Sequence, residues 1–293
     1  MFVPMSAKVR SLTRLSPHLL RVVFGGADLQ RCVPADPVYD QRIKLIFGVL
    51  PDVDLGEDWY GNFQHIPGAV MRTYTVRWAR RLDGELRIAV DFVLHPGASG
   101  PASEWAAAAK VGDTVILVGP TGAGQWGVDF LPGYAQRIVL AGDETALPAI
   151  ASILEGLGPE FKGSAFIEVP TNDDILDEVT HPGFEVQWLP RNGHAHGELV
   201  ASAVLRSFDP ATPAIPTALD FAEETDILMW ETPTYSSGGD HISNHPTNHS
   251  DHYFWIAGES GMVTGIRRVL VTSYNVPRSQ VSFMGYWRRG RAS

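Results

Sequence analysis

The first part of the chain consists of short hydrophobic runs with the alternation of β-strands, separated by Gly and Pro. We predict strands at residues 20–24, 42–49, 74–78, 86–94 and 114–118. Closely spaced strands with turn residues between them are typical of a small antiparallel barrel. Residues 51–67 lack this pattern and are predicted to form a long loop within the barrel.

The pattern changes after Pro132 and Gly133, where apolar strands begin to alternate with segments of helical spacing. Strands are predicted at residues 137–141, 164–169, 184–189, 226–230, 253–257 and 281–286, and helices at 144–157, 197–207 and 260–274. Buried strands that alternate with helices indicate a mostly parallel sheet. The sequence therefore predicts two domains, an N-terminal antiparallel β-barrel over residues 1–130 and a C-terminal α/β Rossmann-like domain with a parallel sheet over residues 131–293.

Composition limits the function and the location of the protein. A chain of 293 residues with 44% hydrophobic content can bury a sizeable core, and its net charge of −10 argues against nucleic acid as a partner. The lone Cys32 excludes an internal disulfide framework. The amino terminus has no secretory signal pattern, and no apolar stretch approaches the length of a membrane span. We expect a cytoplasmic protein without membrane insertion, and nothing in the sequence demands more than a monomer.

The segment Arg-Thr-Tyr-Thr-Val-Arg at residues 72–77 is the most informative one for function. In a strand, Arg72 and Tyr74 lie on one face, whereas Thr75 and Arg77 lie on the other. The segment thus combines an aromatic ring, a hydroxyl group and fixed cations, which a flavin dinucleotide needs. An ordinary strand with surface arginines has the same pattern, so this segment alone leaves both interpretations open.

A second informative segment follows the predicted strand at residues 91–94. Ser99, Pro101 and Ser103 lie in a Gly- and Ser-rich loop that leads into an alanine-rich stretch, with the proline placed as the first residue of a helix. The start of a helix has unpaired backbone N–H groups and binds phosphate readily. A plain capped helix start is the alternative.

Several motifs taken together resemble those of the siderophore-interacting proteins, which are FAD-containing ferric-siderophore reductases in the ferredoxin–NADP reductase superfamily. The motifs follow in the order of that family, at residues 72–77, 91–95, 100–106, 141–149, 257–260 and 285–290. The resemblance runs from about Val9 to Gly290 and is therefore nearly as long as the chain.

The resemblance implies which residues bind FAD. Tyr74 would stack on the isoalloxazine and Thr75 would bond near its N5 atom, so these two are the predicted catalytic residues. Arg72 and Arg77 would hold the phosphates or the ribityl chain. The remaining implied FAD contacts lie in the strand at residues 91–94 and in the second informative segment after it, and are Asp91, Val93, His95, Gly100, Ala102 and Ser103.

The second domain is implied to bind NADH or NADPH, although the turn after its first strand lacks a Gly-x-Gly-x-x-Gly motif. On pattern alone this turn is a capped helix start, since Asp143 and Glu144 would repel an anion. The resemblance nevertheless implies nucleotide contacts there and at a later turn, from Asp143, Thr145, Ala146 and Glu259. For Glu259 a helix-capping role is the simpler alternative. Arg191 is interpreted as a solvated loop residue, with a ribose 2′-phosphate contact as the alternative.

The implied substrate is a ferric siderophore, which is often anionic and so requires a basic pocket. Lys44 and Arg288 are the predicted substrate-binding cations, and a surface position is the alternative for both. Trp287 is expected to pack the carboxyl-terminal end of the chain rather than to cover the flavin. His241, His245, His249 and His252 are interpreted as part of a flexible loop, and no native metal is predicted.

Three functions remain at this stage. The favoured one is an FAD-dependent reductase that transfers electrons from NADH or NADPH to a ferric siderophore, with ferredoxin as a possible donor. The second is another flavin reductase of the same superfamily. The third is a non-catalytic protein that binds flavin or siderophore.

Overall fold

The computed structural model describes residues 1–49, 53, 55–56, 58–94, 101–208, 228–237 and 251–290. The chain divides into two compact units, Met1–Val128 and Asp129–Ser293. Each of the two sheets takes all of its strands from one unit.

The first unit is a curled antiparallel sheet. Its strands are β1 (Phe2–Ser16), β2 (Leu19–Gly25), β3 (Arg42–Phe47), β4 (Val70–Thr75), β5 (Trp78–Leu82), β6 (Glu85–Val93) and β7 (Thr114–Pro120). They are arranged in the order β4-β3-β7-β1-β2-β6-β5, and every neighbouring pair is antiparallel. A short 3₁₀ helix (Asp28–Arg31) and two α-helices, α1 (Trp59–Gln64) and α2 (Pro101–Ala108), complete the described part of this unit.

Alternation along the strands places one face of this sheet in a hydrophobic core. Ile43 and Leu45 of β3, Leu117 of β7 and Phe92 of β6 are almost fully buried in that core. Helix α2 packs Ala106 and Trp105 onto the same cluster. The core therefore holds α2 against the strands that carry the two informative segments.

The second unit is an α/β domain with a mixed sheet. Its strands are β8 (Arg137–Gly142), β9 (Lys162–Val169), β10 (Phe184–Pro190), β11 (Trp230–Thr232), β12 (Tyr235–Ser236), β13 (His252–Glu259) and β14 (Val281–Trp287). Its helices are α3 (Leu147–Gly156), α4 (Glu198–Phe208) and α5 (Ser260–Arg268), with short 3₁₀ helices at Asn172–Asp174 and Arg278–Gln280 and a π-helical turn at Val269–Ser273. The sheet order is β10-β9-β8-β13-β14-β11-β12.

The first five strands of this order run parallel, and β11 and β12 extend the sheet in antiparallel fashion. Parallel strands covered by helices are buried on both faces, which explains the near-continuous apolar runs of β8 and β13. The predicted fold class, an antiparallel first domain followed by a Rossmann-like parallel sheet, is confirmed.

The structure corrects four details of the predicted elements. The run at residues 74–78 belongs to two strands, because β4 ends at Thr75 and β5 begins at Trp78. The predicted loop at residues 51–67 contains α1, whose start is capped by the Asp58 carboxylate. Strand β1 was missed, since half of its residues are only partly buried and the alternation is weak. The predicted helix at residues 260–274 ends as an α-helix at Arg268 and continues as a π-helical turn.

Candidate functional site

Strand β4 carries the central motif of the first unit, and its pairing with β3 decides which side chains share a face. Tyr74 lies opposite Ile43, whereas Thr73 lies opposite Lys44. Directly opposed residues of an antiparallel pair share a face. Tyr74 therefore projects into the hydrophobic core, and Lys44 and Thr73 project from the other side of the sheet.

The core side of β4 brings the two informative segments together. The ring of Tyr74 lies 4.6 Å from that of Phe92 in β6, and Phe92 lies 5.6 Å from Trp105 of α2, measured between ring centroids. Burial raises the pKa of the Tyr74 hydroxyl, and the nearby Arg72 charge opposes this only in part. A neutral, packed phenol at this position is suited to contact a flat aromatic ring.

The polar groups around this cluster have the chemistry that a flavin dinucleotide requires. Arg72 shares the face of Tyr74, and Ala102 and Ser103 are half-buried in the first turn of α2. Guanidinium groups and helix starts both bind phosphate. The buried Thr75 hydroxyl and the half-buried Arg77 complete the set on the other face and at the end of β4. This donor set fits the diphosphate and ring of FAD.

Of four further predicted FAD contacts, the structure describes two and leaves two outside the described residues. Asp91 is buried, and both of its carboxylate oxygens accept hydrogen bonds from Arg21, at 2.7 and 2.8 Å. Val93 is half-buried at the end of β6. His95 and Gly100 lie outside the described residues. The contacts of all four with FAD stay predictions.

The outer face of β3 and β4 carries two cations. Lys44 donates a hydrogen bond of 2.7 Å to the neutral hydroxyl of Thr73, and Arg42 lies opposite Thr75 on the same face. Burial lowers the pKa of the Lys44 ammonium group, and the Arg42 charge lowers it further. Two like charges held close together favour binding of an anion between them.

In the second unit, the carboxyl ends of the parallel strands carry a cluster of charged residues. Asp143 directly follows β8 and is fully buried. Its carboxyl oxygens accept hydrogen bonds from the Thr145 backbone (2.9 Å) and hydroxyl group (2.5 Å), the Glu259 backbone (2.8 Å) and the Trp287 indole (3.0 Å). Burial and the neighbouring Glu144 charge raise the pKa of Asp143, while His196 and the hydrogen bonds from the Thr145 hydroxyl and the Trp287 indole oppose the rise.

Glu144 and Arg191 form a buried ion pair beside Asp143. Two guanidinium nitrogens of Arg191 contact Glu144 at 2.7 and 2.9 Å, and one of them contacts Glu168 at 3.3 Å. Although burial opposes it, the partners His196 and Arg191 lower the pKa of Glu144 to about 2. The interpretation of Arg191 as a solvated loop residue is therefore wrong, because its charge is already paired within the protein.

The structure also positions Glu259 and Ala146, the other predicted nucleotide contacts of this unit, together with Trp287, which was expected to pack, and Arg288, which was predicted to bind substrate. Glu259 caps α5 by accepting from the Met262 backbone at 2.9 Å, which is the simpler of its two predicted roles. Ala146 is fully buried before α3. Trp287 packs its ring 5.0 Å from that of His196, and Arg288 is half-buried directly after β14.

Sequence reasoning missed two members of this cluster. Glu168 is fully buried near the end of β9 and accepts hydrogen bonds from the Gly197 and Val200 backbones at the start of α4. The Nε2 atom of His196 lies 3.5 Å from Asp143 and 3.7 Å from Glu144. Position was the available signal, because Glu168 is the second-to-last residue of a parallel strand and His196 lies two residues before a helix.

Comparison with known proteins decides the family. One family model, described as the siderophore-interacting FAD-binding domain, matches residues 8–124, and another, described as the siderophore-interacting protein, matches residues 135–290. The chain belongs to the siderophore-interacting protein family. It therefore has an FAD-binding domain in its first unit, as the donor set around Tyr74 also indicates.

Two relatives illustrate the match across the chain. The ferric vibriobactin reductase ViuB of Vibrio cholerae is 30% identical over 285 residues, covering 94% of this chain and 86% of that protein. An uncharacterized protein of Mycobacterium tuberculosis is 34% identical over 295 residues, covering 97% of this chain and 90% of that protein.

Solved structures agree on the fold. A siderophore utilization protein from T. fusca superposes with a TM-score of 0.67 at 27% identity, covering 99% of this chain and 95% of its own. A ferredoxin NADP⁺ reductase from Neisseria gonorrhoeae superposes with a TM-score of 0.60 at 14% identity, covering 97% of this chain and 99% of its own. The chain thus has the ferredoxin reductase-like fold. Among the described residues, no helix has the length and apolarity needed to cross a membrane.

Proposed function

We propose that this protein is an FAD-dependent oxidoreductase that transfers electrons from NADH or NADPH to a ferric siderophore and releases ferrous iron in the cytoplasm. The observation that carries the proposal is the convergence of Tyr74 and the start of α2 on one aromatic cluster, with Arg72 on the same strand face as Tyr74, in a unit that matches a siderophore-interacting FAD-binding domain. The similarity to a protein named as a ferric reductase supports the reaction class.

The cofactor supplies redox chemistry, since a bound flavin takes electrons in pairs and passes them on singly. The protein positions it. In this proposal Arg72 and the α2 start bind the diphosphate, and Arg77 adds a second cation. Tyr74 offers its packed ring to the isoalloxazine, and the Thr75 hydroxyl donates a hydrogen bond near N5.

The ferric siderophore is proposed to bind to positively charged side chains of the protein. Iron(III) is held by hard anionic oxygens more tightly than iron(II), so reduction by one electron loosens the complex. A negatively charged ferric complex would pair with Lys44, whose hydrogen-bond partner among the described residues is the neutral Thr73 hydroxyl. Arg288 is the other predicted substrate cation, and its role stays a prediction. A reductant that gives two electrons would reduce two ferric complexes.

The test is anaerobic absorbance spectroscopy of the purified protein with FAD. We expect flavin bands that bleach on addition of NADH or NADPH and return when a ferric siderophore is added. Sodium dithionite serves as a donor-independent reductant, and reduced ferredoxin as the alternative protein donor. Bands that bleach but never return with any ferric siderophore would contradict the proposed substrate.

A double variant tests the residues of the cofactor site. Arg72→Ala with Thr75→Ala should release FAD or slow flavin reduction at least about tenfold, because a charged contact and a hydroxyl contact are both removed. The matched control is Arg81→Ala with Thr13→Ala, since both of these residues are exposed in the same unit. Full flavin occupancy and full rate in the first double variant would refute the assigned roles.

A further inference from the structure

The crevice between β8 and β13 is the place where a Rossmann-like sheet is expected to bind its ligand. Strand β8 connects through α3 to β9 on one side, whereas β13 pairs with it on the other side. The chain therefore changes direction between β8 and β13, and ligands of such sheets bind at this switch point outside the carboxyl ends of the strands. A dinucleotide usually places its diphosphate there, on the backbone N–H groups of the first turn.

In this protein the donors at the switch point already have an acceptor. The carboxyl group of Asp143 accepts from the Thr145 backbone in the turn after β8 and from the Glu259 backbone in the turn after β13. The hydroxyl of Thr145 and the indole of Trp287 complete its partners. These are four donors for two oxygens, and the group is fully buried.

Two glycines close the backbone around this carboxyl group. A Cβ atom on Gly258, which has a φ of +137°, would lie 2.5 Å from the Asp143 carboxylate. A Cβ atom on Gly142 would lie 2.4 Å from the Ala146 Cβ and from the Ala257 carbonyl oxygen. Glycine at these positions serves close internal packing, and the space that it leaves is filled by Asp143 and its neighbours.

The surrounding charges are also unsuited to a diphosphate. Glu144 is buried next to Asp143, and the nearby basic side chains already face these carboxylates. Arg191 pairs with Glu144 and Glu168, and the His196 imidazole lies 3.5 Å from Asp143 and 3.7 Å from Glu144. The amide donors at the start of α4 point to Glu168 in the same way. A diphosphate placed here would face several buried carboxylates and would have to displace Asp143. The residues of this turn therefore do not fit the diphosphate of NADH or NADPH.

We infer that Asp143 is a resident acceptor that takes the place of a ligand phosphate, so that a nicotinamide donor reacts without its diphosphate being held at the β8–α3 turn. This inference deepens the proposed function and rests on it only for the identity of the donor. It assigns Asp143 as a specificity-determining residue. The adenosine diphosphate half of NADH would then contribute little to binding.

The first test measures binding without turnover. Calorimetric titration with ADP should show no binding to the wild-type protein at about 1 mM, whereas Asp143→Ser should gain at least about tenfold in affinity, because the freed amides can accept a phosphate. Asp143→Asn is the matched control. It keeps the size of the side chain that fills the turn, so its affinity for ADP should not increase. The inference would be overturned if the wild type and Asp143→Ser bound ADP with the same Kd and that Kd were about 1 mM or lower.

The second test uses only the wild-type holoprotein and so does not depend on the folding of a variant. Flavin reduction is followed with NADH and with reduced nicotinamide mononucleotide, which lacks the adenylate half. We expect second-order rate constants within about threefold of each other, whereas a held diphosphate would favour NADH by about a hundredfold. A preference of that size would overturn the inference.

The failure of the proposed function gives a different result. Dithionite reduces the flavin regardless of nucleotide binding, so a ferric siderophore that does not reoxidise dithionite-reduced protein contradicts the reductase proposal alone. If neither nicotinamide compound reduces the flavin, the proposed donor is wrong, and the ADP titration still decides the role of Asp143.

Discussion

At the scale of single residues, Lys44 is the side chain whose surroundings point most directly to a substrate. It is held by Thr73 across the β3–β4 pair, and Arg42 lies two residues away on the same strand face. Burial and the Arg42 charge lower the pKa of Lys44, so the protonated amine is less stable there than in water. An anion bound beside Lys44 would stabilise the protonated amine, because an opposite charge favours the charged form.

Lys44→Gln should leave the flavin spectrum unchanged and lower kcat/KM for an anionic ferric complex by about tenfold, which corresponds to the loss of one partly buried charge contact. A neutral ferric complex should lose much less. Lys8→Gln removes the same charge from an exposed position of the same unit and should have no effect. An equal loss with both kinds of complex would show that Lys44 does not act through its charge.

At the scale of secondary-structure elements, the Glu144–Arg191 pair joins the turn before α3 to the end of β10 and, through Glu168, to the end of β9. The three strands β8, β9 and β10 are thus held together at their carboxyl ends by buried charges. Breaking such a pair from one side is costly, because the other charge stays buried. Substitutions that remove one of these charges at the carboxyl edge of the sheet should therefore lower the stability of the protein.

Glu144→Gln should lower the free energy of unfolding at pH 7 by about 3 kcal/mol, because Arg191 loses its closest charged partner and keeps the more distant Glu168. The folded-state pKa of about 2 lies below the ordinary value of 4.5, so this stabilisation is present above about pH 4.5 and is lost as the pH falls toward 2. Urea unfolding of both proteins across this range should show a difference that shrinks with acid. The exposed Glu178→Gln is the control, and a difference independent of pH would contradict the ion-pair explanation.

At the scale of the whole molecule, each unit has its own sheet and its own hydrophobic core. The core of the first unit is centred on residues such as Phe24 and Leu117, and that of the second on residues such as Phe254 and Ile256. All strand pairs join residues within one unit among the described residues. A cut between Val128 and Asp129 would leave both sheets complete.

Separately produced fragments 1–128 and 129–293 should therefore each unfold cooperatively on heating, and only the first should bind FAD, as measured by fluorescence polarization. A fragment ending at residue 113 is the control. It lacks β7, which pairs with β1 and β3 in the middle of the sheet, and should not fold. Non-cooperative melting of both longer fragments would show that neither unit is an independent domain.

Local patterns in the sequence determined the fold class and the cofactor segment. Strand alternation at residues 42–49 and 86–94 and the buried runs of β8 and β13 depend on neighbours along the chain, so they can be read without a structure. The proline at the start of α2 is equally local. The motif at residues 72–77 combines a cation, a ring and a hydroxyl, which suits FAD, but the cofactor was indicated only by the resemblance of several motifs taken together.

Only the tertiary structure decided what the residues at the carboxyl edge of the second sheet do. Asp143, Glu168, Arg191 and His196 are up to 53 positions apart in the chain, and parallel strand pairing brings them together. Whether Asp143 repels a phosphate or replaces one depends on the Glu259 and Trp287 donors, which lie more than a hundred residues further along the chain, at the ends of β13 and β14. Hydrogen-bond partners across a sheet are set by strand order and register, and sequence spacing carries no information about either.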